Sequence, residues 1–180
     1  IKNHEGFIDV ESEPGQGCTF KVYLPASDGP VFARPHEESS PEHGHGRVLL
    51  MDDEPEIRNI AQQMLEHLGY QVLPVSDGVE VIDAYADAFA KTTPFDVVVM
   101  DLTVPGGMGG LETVDKLREI DPDVCAIVAS GYSNDPVLSD FESYGFCDMV
   151  AKPFNLHDLA RIVRNAMLTR SRRMSQLSPQ

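Results

Sequence analysis

The sequence predicts an α/β fold: a five-stranded parallel sheet, doubly wound with helices on both faces, preceded by a short β-hairpin. From Arg47 onward, short apolar runs alternate five times with segments whose apolar residues recur at helical spacing. That alternation is typical of parallel strands joined by crossover helices. The repeats occupy residues 47–171, which is half of the ~250 residues typical of a closed eightfold barrel. An open sheet therefore fits the length.

Residues 1–25 predict the hairpin. The runs FIDVES and CTFKVYL alternate apolar and polar residues, and the EPGQG between them supplies turn-forming proline and glycine. Residues 26–46 have no apolar period and are rich in Pro, Gly, Ser and Glu, so we interpret them as a linker. Its histidines have no accompanying ligand cluster and are expected to be solvated rather than to bind a metal; they are His36, His43 and His45.

The five repeats then follow in order, each a strand and a helix. The predicted strands are RVLLMDD, YQVLPV, FDVVVMD, VCAIVAS and CDMVA. The helices are marked by apolar residues three and four apart, and they are centred on residues 57–68, 79–89, 111–117, 137–141 and 156–167. Gly69 ends the first helix. We expect the last helix to reach about Leu168, with 172–180 as a tail and with solvated basic residues complementing the helix dipole, namely Arg170, Arg172 and Arg173.

The charge and the cysteines exclude several classes of protein. A formal net charge of −15 argues against a nucleic-acid binder, because phosphate backbones repel it. Three scattered cysteines without a Cys-x-x-Cys favour reduced thiols in the cytoplasm over a zinc site or a disulfide framework. No apolar run reaches membrane-spanning length and no signal peptide is present, so we expect no membrane contact by this chain. The helix-end character of IKNHEG predicts a piece of a longer protein, which could be anchored in a membrane upstream.

Polar residues break the apolar pattern at the carboxyl ends of the predicted strands. Ligands of open parallel sheets bind beyond those ends, so we expect these residues to meet in one pocket. The first strand ends in two acids and the third in one, a Ser-Gly pair closes the fourth, and a lysine follows the fifth: Asp52, Asp53, Asp101, Ser130, Gly131 and Lys152.

The charges in this set predict its chemistry. Carboxylates 4 Å apart repel by roughly 4 kcal/mol per pair at an effective dielectric constant near 20, so at least one would be protonated unless a cation compensates. Mg²⁺ prefers a few carboxylates together with water and phosphate oxygens, and Lys152 adds a further positive charge. The set indicates a phosphoryl-transfer site in which Asp101, at the end of a buried strand, is the nucleophile.

With these residues, the segment from Arg47 to about Arg170 resembles the receiver domain of two-component response regulators, a flavodoxin-like fold with strand order 2-1-3-4-5. The resemblance implies that Asp52 and Asp53 form an acidic metal pocket for Mg²⁺. It implies that Asp101 accepts a phosphoryl group and that the backbone carbonyl of Thr103 is the remaining protein ligand of the metal.

The same resemblance assigns the phosphoryl-binding groups. It implies that the Ser130 hydroxyl and the Gly131 N–H bind the phosphoryl group, and that Lys152 pairs with its oxygens and precedes a cis peptide bond to Pro153. This chain departs from the usual pattern at two places. The loop PGGMGGL is one residue longer, and Met149 stands where many members carry a switching aromatic residue, so we expect a modest population shift on phosphorylation rather than an all-or-none switch.

The hairpin carries a second resemblance. GQGCTFKVYLP is similar to the last hairpin of a histidine-kinase ATP-binding domain, which implies a hybrid histidine kinase as the parent. The phosphoryl group would then come from a phosphohistidine of the cognate kinase or of a histidine phosphotransfer protein. Such a partner would dock beside the first helix, where at least one of four apolar residues should be partly exposed: Ile57, Ile60, Ala61 and Met64.

Three alternatives remain beside this interpretation. An aspartate-nucleophile phosphatase needs an acid where Thr103 stands. A nucleotide-binding doubly wound domain needs the third glycine of a G-x-G-x-x-G motif, which PGGMGGLE lacks. A receiver-like interaction module that is never phosphorylated is disfavoured by the intact set of acids, serine and lysine.

Overall fold

A computed structural model of the chain describes residues 1–26, 43–131 and 136–177, so most of the predicted linker lies outside the described residues, His36 included. The chain divides into two compact units, Ile1–Glu38 and Ser39–Gln180. The described linker histidines, His43 and His45, are exposed. No helix among the described residues combines the length and the apolar character needed to cross a membrane.

The first unit is the predicted antiparallel hairpin. A short 3-10 turn (Lys2–His4) precedes the hairpin. Strand β1 (Phe7–Glu13) then pairs with β2 (Gly17–Tyr23). Side chains alternate between the two faces of a strand pair, and the register gathers an apolar set on one face: Ile8, Val10, Phe20 and Val22. All four are more than two-fifths exposed. One face of the hairpin is therefore apolar and uncovered within the described part of the chain.

The second unit is the predicted five-stranded parallel sheet. Its strands lie in the order β4-β3-β5-β6-β7, which confirms the order 2-1-3-4-5 expected from the sequence. The bounds of the strands are β3 Arg47–Met51, β4 Gln71–Val75, β5 Val97–Asp101, β6 Ala126–Ser130 and β7 Asp148–Ala151. Every residue of β5 and β6 is buried, because helices cover both faces of the sheet.

In the part of the chain that the structure describes, five α-helices flank the sheet. They are α1 Pro55–His67, α2 Gly78–Ala90, α3 Gly110–Ile120, α4 Pro136–Ser139 and α5 Leu156–Leu177. One apolar core lies on the side of α2 and α3 and includes Tyr85 and Leu117, and the other lies on the side of α1 and α5 and includes Leu65 and Val163. Because both faces are packed, polar side chains are confined to the ends of the strands.

Two helical predictions were wrong in their extent. The segment around residues 137–141 is not one helix: α4 is a single turn, and a separate 3-10 turn (Phe141–Tyr144) ends at Gly145 with φ 90°. Helix α5 continues to Leu177, beyond the predicted end near Leu168, because no glycine or proline interrupts residues 169–177 and the next proline is Pro179.

Arg170 was predicted to be solvated at a helix end, and this was wrong. The residue is only 9% exposed, and its guanidinium donates to the carbonyl oxygens of Phe95 and Asp96 and lies 3.1 Å from Asp121 Oδ2. The same carboxylate oxygen accepts a 2.7 Å hydrogen bond from the Tyr85 hydroxyl. A buried arginine is stable here because its donors meet a carboxylate and carbonyl oxygens.

Candidate functional site

The acids at the strand ends converge, as their positions predicted. Carboxylate oxygens of Asp52, Asp53 and Asp101 all lie within 4.8 Å of one another. Asp52 follows β3 and is 1% exposed, Asp101 closes β5 and is 8% exposed, and Asp53 is half-buried. The carboxyl ends of neighbouring parallel strands β3 and β5 therefore form one acidic pocket.

Lys152 follows β7 and reaches into this pocket. Its Nζ lies 2.6 Å from Asp52 Oδ2 and 2.8 Å from Asp101 Oδ2. Burial lowers the pKa of Lys152, but hydrogen bonds to both carboxylates and their negative charges outweigh burial, so the pKa ends above its ordinary value. The ammonium group is therefore charged at neutral pH and bridges two of the three acids.

The ionised form of Asp101 is disfavoured in the pocket, despite the contact with Lys152. Burial raises the pKa of Asp101, and the charge of Asp52 adds to the increase. The ammonium of Lys152 and the Thr103 N–H, which is 3.5 Å from Asp101 Oδ1, lower the pKa without cancelling the increase. One lysine does not fully compensate the buried charge, so the pocket favours a further cation.

Arg58 was not singled out by the sequence analysis. Its guanidinium, on α1, donates to the carbonyl oxygen of Asp52 and, at 3.3 Å, to that of Asp53. The Glu54 N–H donates to Asp52 Oδ1 at 3.0 Å. Long side chains in the first turns of a helix point back towards its N-terminus. Arg58 lies in the first turn of the helix that follows the acidic strand end. That position was the feature of the sequence from which its contact with the pocket could have been predicted.

The other predicted site residues lie at the ends of β5, β6 and β7. Thr103 is exposed two residues after Asp101, and Ser130 closes β6 with 3% exposure. The Ser130 carbonyl accepts a 2.8 Å hydrogen bond from the Lys152 N–H. Gly131 is exposed, and a Cβ placed on it would meet no atom within 4 Å. The Lys152–Pro153 peptide is cis, which confirms that prediction.

The glycine-rich loop after Asp101 follows a closely packed path. The Gly110 N–H donates to the Leu102 carbonyl at 3.1 Å, and a Cβ on Gly109 would lie 2.6 Å from that carbonyl oxygen. On the other side, the Gly78 N–H donates to the Met108 carbonyl at 2.9 Å. The loop is thus held between the end of β5 and the start of α2.

Met149 is partly buried in β7 and packs against the core on the side of α2 and α3. It stands three positions before Lys152 in the sequence. Its flexible thioether side chain fills that position.

Comparison with known proteins places these residues in a family. The family model for the response regulator receiver domain matches residues 48–164. The chain is 32% identical over 176 residues to the sensor kinase CckA of Brucella abortus, in an alignment that covers 93% of this chain and 18% of that protein. It is 30% identical to the sensor histidine kinase GacS of Pseudomonas protegens, over 81% of this chain and 16% of GacS. The chain thus spans less than a fifth of these two kinases.

A shorter relative and a solved structure extend the comparison. The sporulation initiation phosphotransferase F of Bacillus subtilis is 25% identical, over 69% of this chain and 96% of that protein. The crystal structure of the receiver domain of a sensor histidine kinase from Pseudomonas aeruginosa, with a magnesium ion in its active site cleft, superposes with a TM-score of 0.60. It is 24% identical and covers 69% of this chain and 98% of that one.

Proposed function

Because this chain belongs to the response regulator receiver domain family, we propose that it accepts a phosphoryl group on Asp101 from a phosphohistidine, with Mg²⁺ bound beside it. One observation carries the proposal. The Asp101 carboxylate closes a fully buried strand, lies within 4.8 Å of the Asp52 and Asp53 oxygens, and sits 2.8 Å from the ammonium of Lys152. A nucleophilic carboxylate, a pocket for a hard cation and a fixed lysine are the groups that phosphoryl transfer needs.

The donor set fits Mg²⁺. Asp52, Asp53 and Asp101 offer oxygen ligands, the Thr103 carbonyl is two residues further on, and few protein ligands leave positions for water and phosphoryl oxygens. The P. aeruginosa receiver domain with magnesium in its cleft supports the same assignment here. When bound, the ion supplies positive charge that offsets the carboxylates and the phosphoryl oxygens.

The residues of this chain would act as follows. An Asp101 oxygen attacks the phosphorus of the phosphohistidine, the P–N bond breaks, and the imidazole nitrogen leaves with the electron pair. Lys152, which bridges Asp52 and Asp101 in the structure, would turn one of its donors to a phosphoryl oxygen. The Ser130 hydroxyl and the Gly131 N–H would hold the others. Ser130 closes β6 and Lys152 directly follows β7. Binding of one phosphoryl group by both side chains would therefore couple the ends of these adjacent strands.

The first helix supports docking of a histidine-bearing protein. Ile60 is 52% exposed, Ile57 and Met64 are half-buried, and Ala61 is buried. This confirms that at least one of the four apolar residues is partly exposed. Helix α1 begins at Pro55, directly after the acidic pocket, so its exposed apolar residues could contact a helical partner while the histidine reaches Asp101.

We further propose that the parent protein is a hybrid histidine kinase and that the chain acts in the cytoplasm, in a phosphorelay. The part of this chain left outside the CckA alignment is shorter than residues 1–26, so the alignment extends into the hairpin. The uncovered apolar face of Ile8, Val10, Phe20 and Val22 is what a strand pair shows when the domain it packs against is absent.

A labelling experiment tests the assignment of Asp101. With a small phosphodonor and Mg²⁺, the wild-type chain should form an acid-stable, alkali-labile acyl phosphate, and Asp101→Asn should form none. Asp115→Asn, which removes an exposed carboxylate from α3, should label as the wild type does. Labelling of Asp101→Asn at the wild-type level would refute the assignment. No labelling of the folded wild type with any donor would favour the unphosphorylated interaction module instead.

A further inference from the structure

Two of the three cysteines meet in the folded chain. The Sγ atoms of Cys125 and Cys147 lie 2.7 Å apart. Cys125 directly precedes β6 and Cys147 directly precedes β7, and the Cys147 N–H donates to the Ala126 carbonyl at 2.7 Å. The residues are 22 positions apart in the sequence, and it is the parallel pairing of β6 with β7 that brings them together.

This placement suits a covalent bond between the sulfurs. Neighbouring strands lie ~4.8 Å apart, within the ~4.4–6.8 Å that a disulfide spans between Cα atoms. Both side chains belong to the side of the sheet that packs against α1 and α5, so they point the same way. The sulfurs would need to approach by only about 0.7 Å to reach the ~2.04 Å of a disulfide bond.

The two thiols differ in access. Cys125 is 3% exposed, and its Sγ lies 3.4 Å from the Ala166 carbonyl oxygen on α5. Cys147 is half-buried, so a small oxidant reaches it first. The hydrogen bond with Cys125, burial and the nearby charge of Asp148 raise the pKa of Cys147. Since the thiolate is the reactive form, the pair reacts slowly at neutral pH and is not a fast peroxide scavenger.

We propose that Cys125 and Cys147 form a redox-responsive pair, which hydrogen peroxide converts into a disulfide joining the starts of β6 and β7. The Cys147 sulfur attacks one peroxide oxygen and the O–O bond breaks. This releases one water and leaves Cys147 as a sulfenic acid. The Cys125 sulfur then displaces the sulfenic hydroxyl as a second water. The two thiols lose two electrons and two protons, and the peroxide is reduced to two waters, so the reaction balances.

The disulfide would connect two strands whose opposite ends carry the phosphoryl-binding residues. Strand β6 ends at Ser130, and Lys152 directly follows β7. A covalent tie at the starts of both strands limits how far they slide past each other. Only this consequence rests on the proposed function, because disulfide formation itself depends on the two thiols alone.

The test uses the 180-residue chain with Cys18→Ser, which removes the exposed thiol of the hairpin. After prolonged treatment with hydrogen peroxide under native conditions, the intact mass should fall by two hydrogen atoms. Peptide mapping should recover one cross-linked pair containing Cys125 and Cys147. Dithiothreitol should restore the original mass, and the oxidised form should have the higher midpoint of thermal unfolding, since a closed loop constrains the unfolded chain.

The control is Cys18→Ser combined with Cys147→Ser. Cys147 is half-buried, so we expect the folded state to accept a serine there. This variant should keep the midpoint of the reduced chain within a few degrees and should show no loss of two hydrogens. The proposal is overturned if the Cys18→Ser chain, while folded, keeps both thiols or gains oxygen atoms at either cysteine without cross-linking. It is also overturned if the cross-link forms only in urea.

Discussion

At the scale of single residues, the acidic pocket is a compromise between charge and burial. Asp52 and Asp101 share one ammonium group, that of Lys152, at 2.6 and 2.8 Å. Each carboxylate thus has a partner, yet burial keeps the pKa of Asp101 above its ordinary value. Ionisation of Asp101 therefore costs free energy in the folded protein. A bound cation would offset this cost by compensating the charge of the carboxylate.

This cost predicts that Asp101→Asn stabilises the chain at neutral pH when Mg²⁺ is absent. A carboxyl group whose pKa is raised on folding binds its proton more tightly in the folded state, so stability is lost as the pH rises from the ordinary value of 3.8 through the raised one. The variant escapes that loss. Its midpoint of urea unfolding should exceed that of the wild type at pH 7, and the difference should disappear at pH 3.

Addition of Mg²⁺ gives the complementary readout. The ion should raise the unfolding midpoint of the wild type by mass action and should raise that of Asp101→Asn much less. A less stable Asp101→Asn chain at pH 7 without metal would show that the contact with Lys152 outweighs burial.

Gly131 provides a second prediction at this scale. Its proposed role depends on the backbone N–H, and a Cβ at this position would meet nothing within 4 Å. Gly131→Ala should therefore keep the rate of phosphorylation by a small donor within about twofold, because alanine retains the N–H, whereas Gly131→Pro removes the donor and should shorten the lifetime of the acyl phosphate. Equal lifetimes of the acyl phosphate in the alanine and proline variants would show that the Gly131 N–H does not bind the phosphoryl group.

At the scale of elements, the sequence predicted most of what positions the site. The strands were visible as apolar runs, and in a parallel sheet their carboxyl ends must face one edge, so Asp52, Asp101 and Lys152 were expected to meet. The division of α4 from the following 3-10 turn and the length of α5 depend on tertiary packing and local backbone geometry, which apolar spacing does not encode. The contact of Cys125 with Cys147 depends on strand register, and that is set only by the assembled sheet.

The contact between α2 and the glycine-rich loop predicts the effect of Gly78→Ala. A Cβ on Gly78 would lie 1.9 Å from Thr113 Oγ1 and 2.8 Å from the Met108 carbonyl oxygen. Thr113 is fully buried and donates to the Gly109 carbonyl at 2.8 Å, so it cannot turn away freely. The clash costs ~1–3 kcal/mol, more than the ~0.5–1 kcal/mol that alanine gains over glycine in a helix.

The glycine-rich loop should respond by moving away from α2. Because this loop carries Thr103, whose carbonyl is a proposed metal ligand, the movement should disturb the metal pocket. We therefore expect Gly78→Ala to lower the unfolding free energy and to weaken Mg²⁺ binding several-fold in a fluorescence or calorimetric titration. Val79→Ala changes the next, exposed position of the same helix and should leave Mg²⁺ affinity as it is. Unchanged affinity in Gly78→Ala would mean that the metal pocket does not depend on this contact.

At the scale of the whole molecule, the negative net charge of the chain and the exposed apolar side chain on α1 constrain the partner. A net charge of −15 disfavours nucleic acid and any strongly acidic protein, since like charges repel at an interface. The exposed side chain of Ile60 offers apolar area on α1, the helix that begins directly after the pocket. A helical protein with apolar residues around its phosphohistidine would satisfy both conditions.

Docking on α1 predicts a specific failure of Ile60→Asp. About half of the Ile60 side chain is exposed in the free chain, and burying that remainder is worth roughly 1.4 kcal/mol. Losing it should slow phosphotransfer from a phosphorylated histidine phosphotransfer protein about tenfold at subsaturating concentrations. Labelling by a small phosphodonor needs no docking and should be unchanged, because Ile60 contributes no group to the Asp101 pocket.

Val79→Asp is the matched control. Val79 is 51% exposed and is likewise an apolar residue on a helix, but it belongs to α2, so the same change of charge should leave transfer from the phosphorylated protein near the wild-type rate. Equal slowing in both variants would indicate that added negative charge, not loss of an apolar contact, controls the encounter. Unimpaired transfer in Ile60→Asp would move the docking surface away from α1, since a partner that buried this side chain could not accept a carboxylate there without cost.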